Sequence, residues 1–347
     1  MGKYSIDAFE VHPLIKLRPV MTAPLLRSYR LYELYQSALE PKCGELLDPP
    51  PVEGENVILL LHPDEKRDLA DVCGFIRRMG SCYNGGRGFA AVVMEMGPFT
   101  GVAREQLVQA YRQGFDETFL LLKPGSGLAE VCRRLGIPFG LWLELERGIL
   151  PLRRAIGQEN LARVWENAPV YLRADRKLTE AELDAARRWH ISGADVLLPV
   201  GVQMTLRRMM FPEALTTGGL MPLRLWWQNV GTAPIYEAVQ LHLELRSGEA
   251  HYQIDAPGVL DRPGIGDSTM NLTAKLPQVP CGRYELWCGL KAGKKFLLLA
   301  MEAQENGGLY RVGEVTLDDV SRPYLATMWD EQYADGYYPL EDPAQPE

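Results

Sequence analysis

With 347 residues, 46% of them hydrophobic and 24% charged, the chain is long enough for two ordinary globular domains, and it has no run near the roughly 20 apolar residues that span a bilayer. A formal net charge of −8 opposes a phosphate backbone, and the short basic pairs at 77–78, 187–188 and 207–208 read as solvated helix faces, so neither nucleic acid nor membrane is an expected partner. The six cysteines (Cys43, Cys73, Cys82, Cys132, Cys281, Cys288) form no CxxC pair, and residues 1–10 lack the basic-then-apolar pattern of a signal peptide. The expectation is reduced thiols and a cytoplasmic protein, with secretion the alternative if a leader has been removed.

From residue 24 to about 199, short apolar runs alternate with longer amphipathic ones, the rhythm of parallel strands joined by helical crossovers. Strands are expected at 25–31, 57–61, 89–96, 118–122, 139–145, 170–174 and 194–198, and helices at 66–79, 103–113 and 179–189. Thr179 and Glu182 have the spacing of a capping box. Seven such strands make either an open doubly wound sheet or, with an eighth from 8–20, a closed barrel. The barrel is preferred, although Pro13 and Pro19 weaken the eighth strand. No strand is followed by a Gly-rich nucleotide fingerprint, and the five histidines are too scattered for metal-ligand spacing, so no cofactor and no metal are expected.

In a barrel the chemistry sits where the strands end, because the loops there vary without disturbing the core. The expected strand ends carry His62, Glu95, Lys123, Glu144, Arg173 and Asp175. Polar groups inside apolar runs are costly to bury unless they pair or line a wet cleft. Glu95 and Glu144 are the candidate catalytic carboxylates, since glycoside hydrolysis needs one acid and one nucleophile or base. Lys123 and Arg173 are equally able to neutralise them as structural ion pairs. Trp142, Trp189 and His190, with His62, Lys123, Arg173 and Asp175, are candidate sugar-binding residues; the alternative for His190 is a core histidine beneath a tryptophan.

From about residue 222 the pattern changes to alternating strands, clearest at Leu241, Leu243 and Leu245, which share one face opposite polar neighbours. Strands are expected at 224–228, 238–246, 252–254, 270–275, 284–291, 295–300 and 310–317, as an antiparallel β-sandwich. Trp226 and Trp227 must point to opposite faces. Residues 321–347 form an acidic, aromatic tail.

Certain segments carry a resemblance. Trp227-Gln228-Asn229-Val230-Gly231-Thr232-Ala233-Pro234-Ile235-Tyr236, then Leu276-Pro277, Gly282-Arg283-Tyr284-Glu285-Leu286, Leu299-Ala300 and Gly308-Leu309-Tyr310-Arg311-Val312-Gly313 resemble the all-β domain of the bacterial family called domain of unknown function four-eight-three-two. The stretches 189–192 and 94–101 are similar to that family's His-x-Ser segment and fourth-strand mouth. The resemblance implies a TIM barrel like that of β-galactosidase-like glycoside hydrolases, followed by an all-β domain. Where the family runs into a Gly-Glu-Trp-like stretch, this chain reads Val102-Ala103-Arg104-Glu105.

The combined expectation is a (β/α)8-like TIM barrel over 1–203, a β-sandwich over 204–320 and a tail over 321–347. The expected activity is glycoside hydrolysis at the barrel mouth. The alternatives are a non-catalytic carbohydrate-binding or scaffold protein and a homo-oligomeric assembly role.

Overall fold

In a computed structural model the described residues are 30–36, 57–64, 66–83, 89–94, 101–115, 118–146, 148–174, 176–195, 200–293, 295–301 and 303–322. They belong to two units, one drawn from positions up to 202 together with 231–236, the other from 203–230 and from 237 onward.

The first unit is a run of β–α steps. Its strands are β1 (Arg30–Tyr35), β2 (Val57–His62), β3 (Phe89–Met94), β4 (Phe119–Leu122), β5 (Phe139–Glu144), β6 (Val170–Arg173) and β7 (Gly193–Ala194). Its helices are α1 (Leu69–Tyr83), α2 (Val102–Gly114), α3 (Leu128–Leu135), α4 (Ile149–Gln158) and α5 (Glu180–Arg188). All seven strands are parallel and pair strictly in chain order. Right-handed crossovers that always step in one direction put every helix on the same face of the sheet. Strand parity follows from this. Leu59, Leu61, Leu120, Leu122, Leu141, Leu143, Val170 and Leu172 join the large core with the helices, including Val72, Phe75 and Ile76 of α1 and Leu107 and Val108 of α2. The alternate residues Ile58, Leu60, Leu121, Trp142 and Tyr171 form a second cluster on the other face, without any helix. Between α1 and α2 the backbones meet at Gly80 and Gly114, where no Cβ would fit.

The closed eight-stranded barrel is not what forms. Among the described residues β1 pairs only with β2 and β7 only with β6, so the ladder path is open, and residues 8–20 lie outside the described set. The doubly wound alternative also fails, because strand order never reverses. What forms is a singly wound sheet that is strongly curled. In a flat sheet β1 and β6 would stand about 24 Å apart, five spacings of roughly 4.8 Å. Yet Arg173 of β6 reaches Glu33 of β1 at 3.1 Å.

The second unit holds two sheets. One has β8 (Met204–Met210), β10 (Leu220–Asn229) and β14 (Gly266–Lys275), antiparallel in the order β14-β10-β8. The eight-stranded sheet contains β9 (Ala214–Thr216), β11 (Val239–Ser247), β12 (Ala250–Ile254), β13 (Val259–Leu260), β15 (Gly282–Ala292), β16 (Lys295–Phe296), β17 (Glu305–Asn306) and β18 (Leu309–Asp318). It is not purely antiparallel as expected. Chain leaving β8 enters it at β9, which lies parallel to β18. Val239, Leu241, Leu243 and Leu245 are buried, as the alternation requires. Trp227 is fully buried and Trp226 only partly so. The basic pair at 207–208 lies on β8, not on a helix. Strand β8 escaped the sequence reading because those arginines interrupt its apolar pattern.

Helix α5 begins with the expected capping box. Thr179 Oγ1 accepts from the Glu182 backbone N–H at 3.4 Å, and Glu182 Oε2 accepts from the Thr179 backbone N–H at 2.9 Å. Arg176 adds two hydrogen bonds at 2.6 and 2.9 Å to the same carboxylate. The Arg176 guanidinium first, and then the Thr179 N–H, hold the Glu182 carboxyl at about 2, below its ordinary 4.5. A lowered folded-state pKa contributes stability that is complete above the unfolded value and is lost as pH falls through the folded one. Urea unfolding of Glu182→Gln is therefore expected to show a flatter acid limb between about pH 4.5 and 2 than the wild type. Thr179→Ala is expected to cost about 1 kcal/mol at neutral pH.

Candidate functional site

Side chains two apart on a strand share a face. On the concave, helix-free face, the residue two beyond each member of the small apolar cluster is therefore the next one up toward the C-terminal end. From Leu60 this gives His62, from Leu121 Lys123, from Trp142 Glu144 and from Tyr171 Arg173. On β1, Tyr32 belongs to the helix-side core, which turns Glu33 to the concave face. Four residues expected from sequence thus come to one edge, together with one that was not expected.

Their contacts form two groups. Glu144 Oε1 accepts from Trp142 Nε1 at 2.8 Å and pairs with Lys123 Nζ at 3.0 Å. Glu33 Oε1 accepts from Arg173 Nη1 at 3.1 Å, and its Oε2 lies 3.7 Å from His62 Nε2. The Glu144 and Arg173 backbones are register partners on β5 and β6, which sets the two groups side by side. The carboxylates stay accessible, with Glu144 24% and Glu33 32% exposed, so neither is sealed in the core. Trp142 is fully buried and supports Glu144 instead of presenting a ring to a ligand. Next to this edge the Asp195 carboxylate accepts the Ala174 N–H at 2.8 Å and so ties the chain after β6 to the chain after β7.

Glu95 and Asp175 lie outside the described residues. Trp189 and His190 are described, but they precede β7 and so stand at the opposite, N-terminal edge of the sheet. Trp189 caps the C-terminus of α5 and packs on the helix-side core. His190 follows it with φ 53°, in the left-handed slot where helices commonly end. Its ring stacks on Trp165, with centroids 3.6 Å apart, and its Nδ1 is 3.0 Å from the Thr232 carbonyl. His190 thus lies against the Trp165 ring, and neither it nor Trp189 joins the row at the C-terminal edge.

Thr232 Oγ1 accepts from Gly201 N–H at 2.7 Å and donates to the Ile191 carbonyl at 2.8 Å. Tyr236 donates to the Trp165 carbonyl at 2.9 Å, lies 3.3 Å from Ser192 Oγ, and sets its ring edge-on to Phe119. Burial pushes the Tyr236 hydroxyl up to about 12. Residues 231–236 thus complete the N-terminal edge of the first unit.

Among the described residues no group of three or more His, Cys, Asp or Glu side chains could hold a metal ion, and no helix is long and apolar enough to cross a membrane. Cys73, Cys132 and Cys288 are buried free thiols, and Cys281 is an exposed one.

No protein-family profile matches the chain, and no curated protein matches it. Among solved structures, the CARDB domain of a Pyrococcus furiosus protein, crystallised with di-metal ions, has 12% identity and a TM-score of 0.22; the match covers 33% of this chain and 93% of that one. A β-glucosidase from Listeria innocua in complex with gluconolactone has 13% identity and a TM-score of 0.25, over 88% of this chain and 48% of its own. Another, from Erythrobacter marinus, has 11% identity and a TM-score of 0.26, over 76% and 41%. The chain spans less than half the length of either β-glucosidase, and likeness at this level carries no argument about activity.

The N-terminal-edge contacts predict distinct costs. Tyr236→Phe is expected to lose about 1 kcal/mol of unfolding free energy. Thr232→Val, which strands the Gly201 N–H and the Ile191 carbonyl, should lose about 1–3 kcal/mol more than a neutral surface change, read from chemical denaturation.

Proposed function

We propose that the protein is carbohydrate-active, and that it binds and hydrolyses a glycoside at the C-terminal edge of the curled sheet with Glu144 as a reacting carboxylate. The observation that carries this reading is the accessible Glu144 carboxylate, fixed by the Trp142 indole and the Lys123 ammonium at the end of β5. Two anchoring donors orient the group and leave its remaining lone pairs for a ligand. Around it, carboxylates that accept and cations that donate alternate along one edge, a pattern suited to a ring carrying many hydroxyls. The resemblance of residues 227–236 and 276–313 to a family whose all-β domain follows a glycosidase-like barrel points the same way. In the reaction, the glycosidic C–O bond breaks, its electron pair leaves with the departing oxygen, one carboxyl group protonates that oxygen, and water supplies the hydroxyl that joins the anomeric carbon.

A second reading, a sugar-binding protein without hydrolytic activity, is favoured by one observation: both described carboxylates of the edge already face a cation, Glu144 with Lys123 and Glu33 with Arg173.

A panel of aryl glycosides, with calorimetric titration of the matching free sugars, separates the two. Hydrolysis that falls about 100-fold or more in Glu144→Gln while sugar binding persists is the expected result. Binding without turnover by the wild type establishes the second reading. Neither binding nor turnover by any sugar overturns both.

A further inference from the structure

We infer that Glu33 of β1 is the second carboxylate of this site, brought to the same concave edge as Glu144 by the curl of the sheet and paired there with Arg173, the register partner of Glu144. This rests on the hydrolytic reading above and supplies the partner that reading needs.

Three observations converge on Glu33. The first is face: Tyr32 is committed to the helix-side core, so Glu33 points to the concave side that also carries Glu144. The second is distance across the sheet. Strands β1 and β6 are five ladder steps apart in pairing order, yet the Arg173 guanidinium lies 3.1 Å from Glu33, while the Arg173 backbone is the register partner of Glu144. One arginine therefore starts beside one glutamate and ends on the other. The third is independence. Each carboxylate has its own orienting donor, Trp142 with Lys123 for Glu144 and Arg173 for Glu33, and each is partly open to solvent.

Two carboxylates on one concave edge, each already oriented by a basic partner, supply the two groups that hydrolysis of a glycosidic bond needs. Hydrolysis there balances in either of two ways. In one, the carboxylic acid of the pair passes its proton to the departing oxygen, and the other carboxylate takes a proton from the water that bonds to the anomeric carbon. In the other, that carboxylate first bonds to the anomeric carbon itself, and water later displaces it. A gap of about 5–5.5 Å between the carboxyl groups belongs to the second course, and about 6.5–9.5 Å to the first.

The full-length protein and its Glu33→Gln, Glu144→Gln and Glu95→Gln variants are assayed on aryl glycosides with good and poor leaving groups, with and without sodium azide. Folding is checked by thermal melting. The expected result is a loss of about 100-fold or more in kcat for Glu33→Gln as for Glu144→Gln on poor leaving groups. Rescue by azide, as turnover or as a glycosyl azide product, should appear in at least one of the two. An ion-pair partner of purely structural importance would lower the melting point without azide rescue, and that outcome overturns the inference. If Glu33→Gln fails to fold, Glu33→Asp, which keeps the charge and withdraws it by one methylene, is expected to lose kcat with KM nearly unchanged; wild-type kcat in that variant overturns the inference. A wild-type enzyme that is active while Glu33→Gln stays within twofold of it and Glu95→Gln is dead also overturns the inference but spares the hydrolytic reading. A wild type inactive on every glycoside removes that reading, and this pair with it.

Discussion

Winding in a single direction is the constraint on which the first unit depends. Because each strand pairs with the next in chain order, the five described helices lie on one side of the sheet. The other face would then leave Ile58, Leu60, Leu121, Trp142 and Tyr171 in water. At roughly 25 cal/mol per Å² of apolar surface, exposing five such side chains is far costlier than bending the strands. The sheet therefore curls until those residues bury one another. That curl sets the polar row directly above the apolar one, and so the same force that protects Trp142 also gathers Glu33, His62, Lys123, Glu144 and Arg173.

The ion pairs of this row stand partly in water, where such pairs contribute little, typically 0–1 kcal/mol each. They orient side chains more than they stabilise the fold. A ligand that replaces one of these partners gives up little, whereas the hydrogen bond from the buried Trp142 indole to Glu144 is held from below by packing. The row thus has a fixed member and several exchangeable ones. The N-terminal edge is different in kind. There Thr232 Oγ1, Tyr236 Oη and His190 Nδ1 meet backbone groups and the Trp165 ring stacks on His190, an arrangement that seals a sheet edge.

The sequence was most legible where local pattern decides the outcome. The apolar runs at 57–61, 119–122, 139–144 and 170–173, the Thr179–Glu182 cap and the Leu241–Leu245 alternation all depend on neighbours two to four residues away. The polar ends His62, Lys123, Glu144 and Arg173 could be picked out because each follows such a run. Glu33 could not, since Arg-Leu-Tyr-Glu-Leu-Tyr has no uniform apolar stretch and the strand expected at 25–31 stops short of it. The partnership of β1 with the far end of the sheet is non-local, and so is the question of closure; no pattern within one strand encodes either. Trp189 and His190 stand apart from that row for a simpler reason. They come just before a strand, and a residue before a parallel strand lies at the edge opposite to one that follows it.

The excursion of residues 231–236 into the first unit bears on how such a protein could change over generations. A gene fragment ending at codon 202 would encode the seven described strands and five described helices of the first unit without Thr232 to meet Gly201 and Ile191, or Tyr236 to meet Trp165. An incoming β-rich half that lacks such a hexapeptide would leave the Gly201 N–H and the Ile191 and Trp165 carbonyls without these partners. Because Thr232 and Tyr236 meet the backbone carbonyls of Ile191 and Trp165, 41 and 71 positions upstream, the side chains at those two positions can change without removing either hydrogen bond.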